Sequence, residues 1–352
     1  MTSNPGTTTA AGRRRRRLGA LALVIVAVTT TACGSEDQPD TAAAASGEPT
    51  VIRMGWGIPA EEIKYLMKEN PELAPNLGEE YTIEWNQFAG TALGVQGLAA
   101  GTLDAATVGS LSVANGLDQG ADIVITGEFI EEREDWFSTT WLVGKDSGIN
   151  TVADLKGKTV ATSAVGGSTD YLQDAYIQEE AGLVANQDYK KVDLPFAQQL
   201  EALSAGQIDM GLFPQPFYAA AMATGKFKPI FTATDVQPQF VQLLQGFRRE
   251  FVEENPEAVK AFLEDWERVA EYMSEEENRA DVIAASSAST KIPATVLEPF
   301  LLTDEDFYRP CHGAVNQEAL QGNWDFFRER GGIKKDLQVE DHVMDEFLPE
   351  EC

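Results

Sequence analysis

The chain has 352 residues, with 27 Lys and Arg against 56 Asp and Glu and a net charge of −29. Such an acidic excess repels nucleic-acid phosphates and offers no polybasic membrane patch. The length suits two domains rather than one. The net charge does not fix the sign of a ligand, because the field inside a pocket can differ from it.

The amino-terminal segment is not read as part of the fold. Five arginines, Arg13 to Arg17, precede an apolar run from Leu18 to Val28, and small residues continue to Cys33. That order is the one an export signal has. The run is shorter than the roughly 20 residues a spanning helix needs. Residues 1–32 are therefore expected to be a signal peptide. Thr30-Thr31-Ala32-Cys33 resembles a lipoprotein signal-peptidase site, so Cys33 is expected to carry lipid and tether the protein to the outer face of the cell membrane. Plain cleavage nearby and an uncleaved anchor are the alternatives. Residues 33–49 are small, polar and without period, which suits a flexible tether. Loss of 1–32 removes five arginines and no acid, leaving 22 basic and 56 acidic residues, a charge of about −34. Sec and twin-arginine export both remain open. Cys311 and Cys352 are then a candidate disulfide in an oxidising compartment, with two free thiols as the alternative.

From Thr50 the apolar periods alternate between strand and helix. TVIRMGW reads as a buried strand. AEEIKYLMKEN reads as an amphipathic helix stopped before Pro71. YTIEWNQF reads as a strand, TALGVQGLAAG as a helix closed by Gly101, and LDAATVGS as a third strand. The apolar stretch 138–143 and the capping-box-like Thr151-x-x-Asp154 come next. The same order then returns: KTVATS, a helix ending at Gly182, YKKVDLPF, a helix ending at Gly206, and IDMGLF. FAGTALGVQGLAAGTLD and PFAQQLEALSAGQID occupy matching places, each with Gly closing a helix and Asp at the mouth of the next strand. From Arg248 the chain turns helical, with Asn255 and Pro256 as cap and first residue of a long helix. Shorter helices are expected around 293–302 and 316–330.

These runs predict two α/β lobes: residues 50–144 with 235–352, and residues 145–234. The first crossing falls near Gly144 and the return near 231–235. A cleft lies between the lobes. In open sheets ligands bind outside the carboxyl ends of strands, which here carry Trp56, Gly57, Gly90, Thr91, Ala92, Gly109, Ser110, Gly166, Gly167, Ser168, Thr169, Pro214 and Gln215. Glycine admits a ligand to the backbone and hydroxyls supply hydrogen bonds. Gly90-Thr91-Ala92 and Gly167-Ser168-Thr169 open helices, whose first amides lack intrahelical acceptors and favour an anion. Ser168 or Thr169 acting only as a helix cap is the plainer account. Trp56, Phe88, Trp136 and Trp141 are candidates for stacking on a planar ligand, with core packing favoured for Phe88 and Trp141. Arg133 and the Glu61-Glu62 pair read as solvated charges.

FAGTALGVQGLAAGTLDAATVGS, DSGINTVADLKGKTVATSAVGGSTDYL, LSAGQIDMGLFPQPFYAAA and the export-plus-Cys33 start resemble the solute-binding proteins of ABC importers in the nitrate/taurine/alkanesulfonate class, over about residues 50–348. The resemblance implies a two-lobed periplasmic-binding-protein-like (type II) α/β fold, a monomer, and delivery of a small-molecule solute to a permease and its ATPase. It implies a small organic anion such as a sulfonate, nitrate or aromatic carboxylate. A neutral planar ligand, such as a thiamine-precursor pyrimidine or riboflavin, is the alternative. Gly109-Ser110-Leu111-Ser112 and Phe213-Pro214-Gln215-Pro216 depart from the Gly-x-x-Pro and Trp-x-Pro usual in alkanesulfonate binders, so the ligand stays open. An exported enzyme or a ligand sensor is the remaining class. His312 and His342 stand isolated, and no H-E-x-x-H, G-x-S-x-G or P-loop occurs. No catalytic residue, metal ligand or cofactor is assigned.

Overall fold

A computed structural model describes residues 48–57, 60–88 and 90–344, which fall in a single compact unit. The expected signal peptide, Cys33, most of the tether and Cys352 lie outside the described residues.

In chain order, β1 (Thr50–Trp56), α1 (Glu62–Glu69), β2 (Tyr81–Gln87), α2 (Thr91–Ala99) and β3 (Ala105–Gly109) make the first β-α-β-α-β run. They are followed by α3 (Ser110–Asp118) and β4 (Ile123–Arg133). The chain then crosses to β5 (Thr140–Gly144), β6 (Thr159–Thr162), α4 (Ser168–Ala181), β7 (Lys190–Asp193), α5 (Phe196–Ser204), β8 (Met210–Phe213), α6 (Phe217–Ala223) and β9 (Phe227–Thr232). It returns to β10 (Gln239–Arg248), then α7 (Arg249–Glu254), α8 (Pro256–Ser274), α9 (Arg279–Thr290), α10 (Ala294–Leu297) and α11 (Gln317–Glu329).

The two sheets have the same plan. The first runs β2-β1-β3-β10-β4 and the second β7-β6-β8-β5-β9. The first three strands of each are parallel and the fourth is antiparallel to both its neighbours. β3 and β8 are buried along their whole length, as central strands covered on both faces are. Gly101 and Gly206 close α2 and α5 with the same left-handed φ of 68°, a conformation glycine adopts without a Cβ clash.

The aspartate of the repeated phrase has a shared task. Asp104 accepts the backbone N–H of Arg53 at 3.0 Å, and Asp209 accepts that of Thr159 at 2.8 Å. Each thereby ties the entry of the third strand to the neighbouring parallel strand, at the end away from the strands' carboxyl termini.

The first crossing differs from the expected position near Gly144. β5 pairs with β8 and β9, so the crossing precedes Thr140 and the strand belongs to the second lobe. TWLVG is apolar throughout and reads alike for either sheet; only its long-range partners assign it. The return crossing occupies 233–238, between β9 and β10. Pro256 does open α8, but the Asn255 side chain donates to the Phe251 carbonyl at 3.0 Å instead of capping. Asn316 caps α11, accepting from the Ala319 N–H at 3.1 Å. α8 packs on α1 and β2, and α11 on α3 and β10, so both serve the first lobe. One apolar core runs from α3 and α11 into β5, β6 and α4, joining the lobes along one side.

Candidate solute-binding cleft

The carboxyl ends of β1 and β3 and the starts of α2 and α3 come together on the first lobe. A Cβ on Gly109 would meet Thr91 Oγ1 at 3.1 Å and Ser112 Oγ at 3.4 Å. Ser112 Oγ accepts the Gly109 N–H at 2.8 Å and donates to Thr91 Oγ1 at 3.1 Å. Gly90, the residue before α2, has open space beside it, and Ala92 is exposed. On the second lobe Gly167 precedes α4, and Ser168 and Thr169 open it, half-buried. Neither hydroxyl caps the helix; Thr169 Oγ1 lies 3.4 Å from Ser163 Oγ instead. The first two amides of α2, α3 and α4 have no intrahelical acceptor, whereas the third ones of α2 and α4, those of Leu93 and Asp170, donate back to the Gly90 and Gly167 carbonyls at 3.1 Å.

Some of the expected amide donors are already engaged. The Gly57 N–H donates to Glu61 Oε1 at 2.7 Å and the Gly166 N–H to Asp170 Oδ2 at 2.9 Å. Asp170 is balanced by Lys191 at 2.7 Å. In contrast, Ser110 Oγ, Thr162 Oγ1 and Gln173 Nε2 belong to residues with no exposed surface and have no hydrogen-bond partner. Ser110 follows β3 and Thr162 ends β6, so one unpartnered hydroxyl stands at the carboxyl end of a parallel strand in each sheet, though on strands that do not correspond. Buried polar groups without partners are rare in folded proteins.

The lobes meet on both flanks of the cleft. On one side Tyr171 of α4 packs edge-on against Phe327 of α11, centroids 5.9 Å apart, and Glu179 pairs with Arg330 at 2.5 Å. On the other, Gln215 Nε2 donates to the Glu305 carbonyl at 3.0 Å and Tyr218 packs on Phe137. Pro214 and Gln215 are thus buried at an inter-lobe contact.

The aromatic candidates separate. Trp56 is buried against Tyr65 with Lys68 over its ring. Trp141 is stacked on Phe231 at 4.3 Å and donates to Gln173 Oε1. Phe88 is half-buried against the core. Trp136 is 40% exposed and lines a cavity of about 380 Å³ at the crossings, with Arg133, Tyr218, Thr232 and Glu305.

Three charge readings need correction. Glu61 and Glu62 are buried, not solvated. Glu61 accepts from Thr107 Oγ1 at 2.5 Å and lies 3.4 Å from Lys64 Nζ, which also reaches the Gly55 carbonyl at 3.1 Å. Burial pulls the Lys64 ammonium down to about 8, against the opposing charge of Glu61. Glu62 pairs with Arg309 at 3.0 Å, and burial still holds its carboxyl above the usual range. Arg133 pairs with buried Glu131 at 2.8 Å and covers the Tyr308 ring at 3.7 Å. The pattern E-E-I-K on a helix start gave no sign of this, because α1 packs on α8 and α9, sends Lys64 to the Gly55 carbonyl of β1, and buries six of its eight residues.

The family model described as NMT1/THI5 like matches residues 82–280, more than half of the chain and parts of both lobes. The chain belongs to this family. A protein of Escherichia coli (strain K12) described as an aliphatic sulfonates-binding protein is 26% identical over 260 residues, 74% of this chain and 78% of that one. The periplasmic aliphatic sulphonate binding protein SsuA from Escherichia coli shares the fold with a TM-score of 0.67 at 24% identity, over 86% of this chain and 94% of that one. The periplasmic nitrate-binding protein NrtA from Synechocystis PCC 6803 does so with a TM-score of 0.66 at 14% identity, over 85% and 87%. Solved proteins that share this fold thus include periplasmic binding proteins for aliphatic sulphonates and for nitrate.

Proposed function

We propose that the protein is the extracytoplasmic solute-binding component of an ABC importer, closing its two lobes on a small organic anion and delivering it to a permease driven by a separate ATPase. The observation that carries this is the placing of three helix starts, those of α2, α3 and α4, at the carboxyl ends of parallel strands in two matching sheets. Such starts hold an oxyanion by backbone N–H groups without a lysine or arginine. The sulfonate-binding relative supports a sulfonate-like head group. Lipidated Cys33 is the proposed anchor, holding a monomer at the membrane through lipid alone. The Cys311 thiol is disulfide-bonded, and Cys352 is its proposed partner.

One observation favours a second ligand class. The amides of Gly57 and Gly166 are already taken by carboxylates of the chain, which leaves fewer donors for an anion and suits a neutral planar solute. Thermal unfolding of the purified protein against taurine, alkanesulfonates, nitrate, aromatic carboxylates, pyrimidines and riboflavin separates the two. A ligand at a hundred times its dissociation constant adds about 2.7 kcal/mol, which is several degrees. A shift with sulfonates supports the first reading and one with pyrimidines or riboflavin the second. No shift across the panel removes both.

A further inference from the structure

We propose that Glu267, Glu271 and His312 form a binding site for a divalent transition-metal ion of the zinc type on the first lobe. His312 stands alone in the sequence, and the fold brings it to two carboxylates. Glu267 and Glu271 lie four residues apart on α8, one turn along the same face. His312 comes from the 311–313 turn, which packs on α8.

That turn is held rather than draped. His312 adopts φ 53° and ψ 9°, the left-handed region that few non-glycine residues enter. Cys311 before it is disulfide-bonded. Gly313 after it lies so close to the Trp266 indole that a Cβ would stand 2.5 Å from Nε1. The imidazole is therefore aimed at α8 by a fixed backbone.

The donor geometry fits an ion better than a hydrogen bond. His312 Nδ1 is 3.7 Å from Glu267 Oε1 and 3.9 Å from Glu271 Oε1, beyond hydrogen-bond reach. The three donor atoms lie within 4.8 Å of one another. Nδ1 is shielded from solvent and has no hydrogen-bond partner. Zinc bonds to nitrogen and oxygen run about 2.0–2.2 Å, which sets tetrahedral donors about 3.3–3.6 Å apart. A few tenths of an ångström closes the two His–Glu gaps. The glutamates, 34% and 59% exposed, have room to swing inward for the rest.

The charges also fit. No lysine or arginine among the described residues pairs with either glutamate. Two carboxylates and a neutral imidazole balance a dication and leave a fourth position for water. Mixed imidazole and carboxylate donors suit zinc among the available divalent ions. The bound ion would clip the 311–313 turn to α8. The competing account is a protonated His312 shared between two glutamates, which needs no ion.

The test strips the purified protein with a chelator and titrates it with Zn²⁺, following heat and unfolding temperature. One equivalent should bind and raise the unfolding temperature by several degrees at saturation. His312→Ala and Glu271→Gln should each weaken binding at least tenfold while leaving the metal-free unfolding temperature near that of the parent. Should His312→Ala fail to fold, Glu271→Gln decides, because that side chain is more than half exposed. Absence of saturable uptake overturns the site and leaves the ion pair. Uptake that persists unchanged in the variants overturns it by placing the ion elsewhere.

Discussion

Asp104 holds Arg53 twice, through the backbone N–H at 3.0 Å and through the guanidinium at 2.5 and 2.8 Å. Arg248 of β10 joins it at 3.2 Å. One carboxylate therefore fastens β1, β3 and β10 at the same end of the first sheet. Burial would raise its pKa, but the hydrogen bonds from Arg53 and Arg248 prevail and hold it below the usual carboxylate range. A depressed folded pKa stabilises above the unfolded value and loses that contribution as pH falls through the folded one. Asp104→Asn should cost about 1–3 kcal/mol at neutral pH. The loss should shrink when denaturant midpoints are repeated in acid below the usual aspartate range. Asp209→Asn, which loses one backbone bond and a more exposed lysine, should cost about 1 kcal/mol.

Glu132, the last residue but one of β4, stands at the first crossing and is fully buried. It accepts from Ser138 Oγ, Thr139 N, Thr139 Oγ1 and Gln242 Nε2 at 2.7–2.8 Å. Burial raises its carboxyl to about 7, opposed by the Thr139 and Ser138 bonds. Between the unfolded value of 4.5 and about 7 the folded state holds the extra proton, so this group's contribution falls as pH rises through that window. Glu132→Gln should flatten the decline. The check is the difference between parent and variant unfolding temperatures from pH 4.5 to 7.5. A constant difference would remove Glu132 from the pH dependence.

Lys64 and Glu61 form a buried pair beneath the end of β1. Lys64→Met should strand a buried carboxylate and cost about 3–5 kcal/mol. Adding Glu61→Gln should recover part of the loss, since the uncompensated charge goes with it. A double-mutant cycle by urea unfolding measures the coupling. Additive losses would mean the pair is not coupled.

Ser168→Ala with Thr169→Ala should weaken solute binding at least tenfold. The unliganded unfolding temperature should hardly move, because neither hydroxyl caps α4. Calorimetry with the solute found by the panel reads the first effect and melting the second. Unchanged affinity would take both residues out of the site.

The repeated α/β order was legible because each lobe writes its period locally: apolar strand, amphipathic helix, closing glycine. Gly101 and Gly206 mark the same left-handed position in both lobes. What escaped depended on partners far along the chain. β5 is assigned by β8, nearly seventy residues later. Glu61 looks like a surface acid until Thr107 and the Gly57 amide are seen beside it. Trp56 looks like a stacking platform until Tyr65 covers it. At the site, small and hydroxyl residues at strand ends were readable as a class. Which hydroxyls lack partners was not, because that depends on every neighbouring donor and acceptor.

The fourth strand of each sheet has a consequence for synthesis. The second lobe runs without interruption from β5 to β9, so it can form as soon as those residues are available. The first lobe has no such freedom. β10 lies between β3 and β4, and until it arrives both strands present bare edges, the kind that invite pairing with other chains. The first part of the molecule to be made is thus the last to be sealed, and the hazard lasts while the whole second lobe is written.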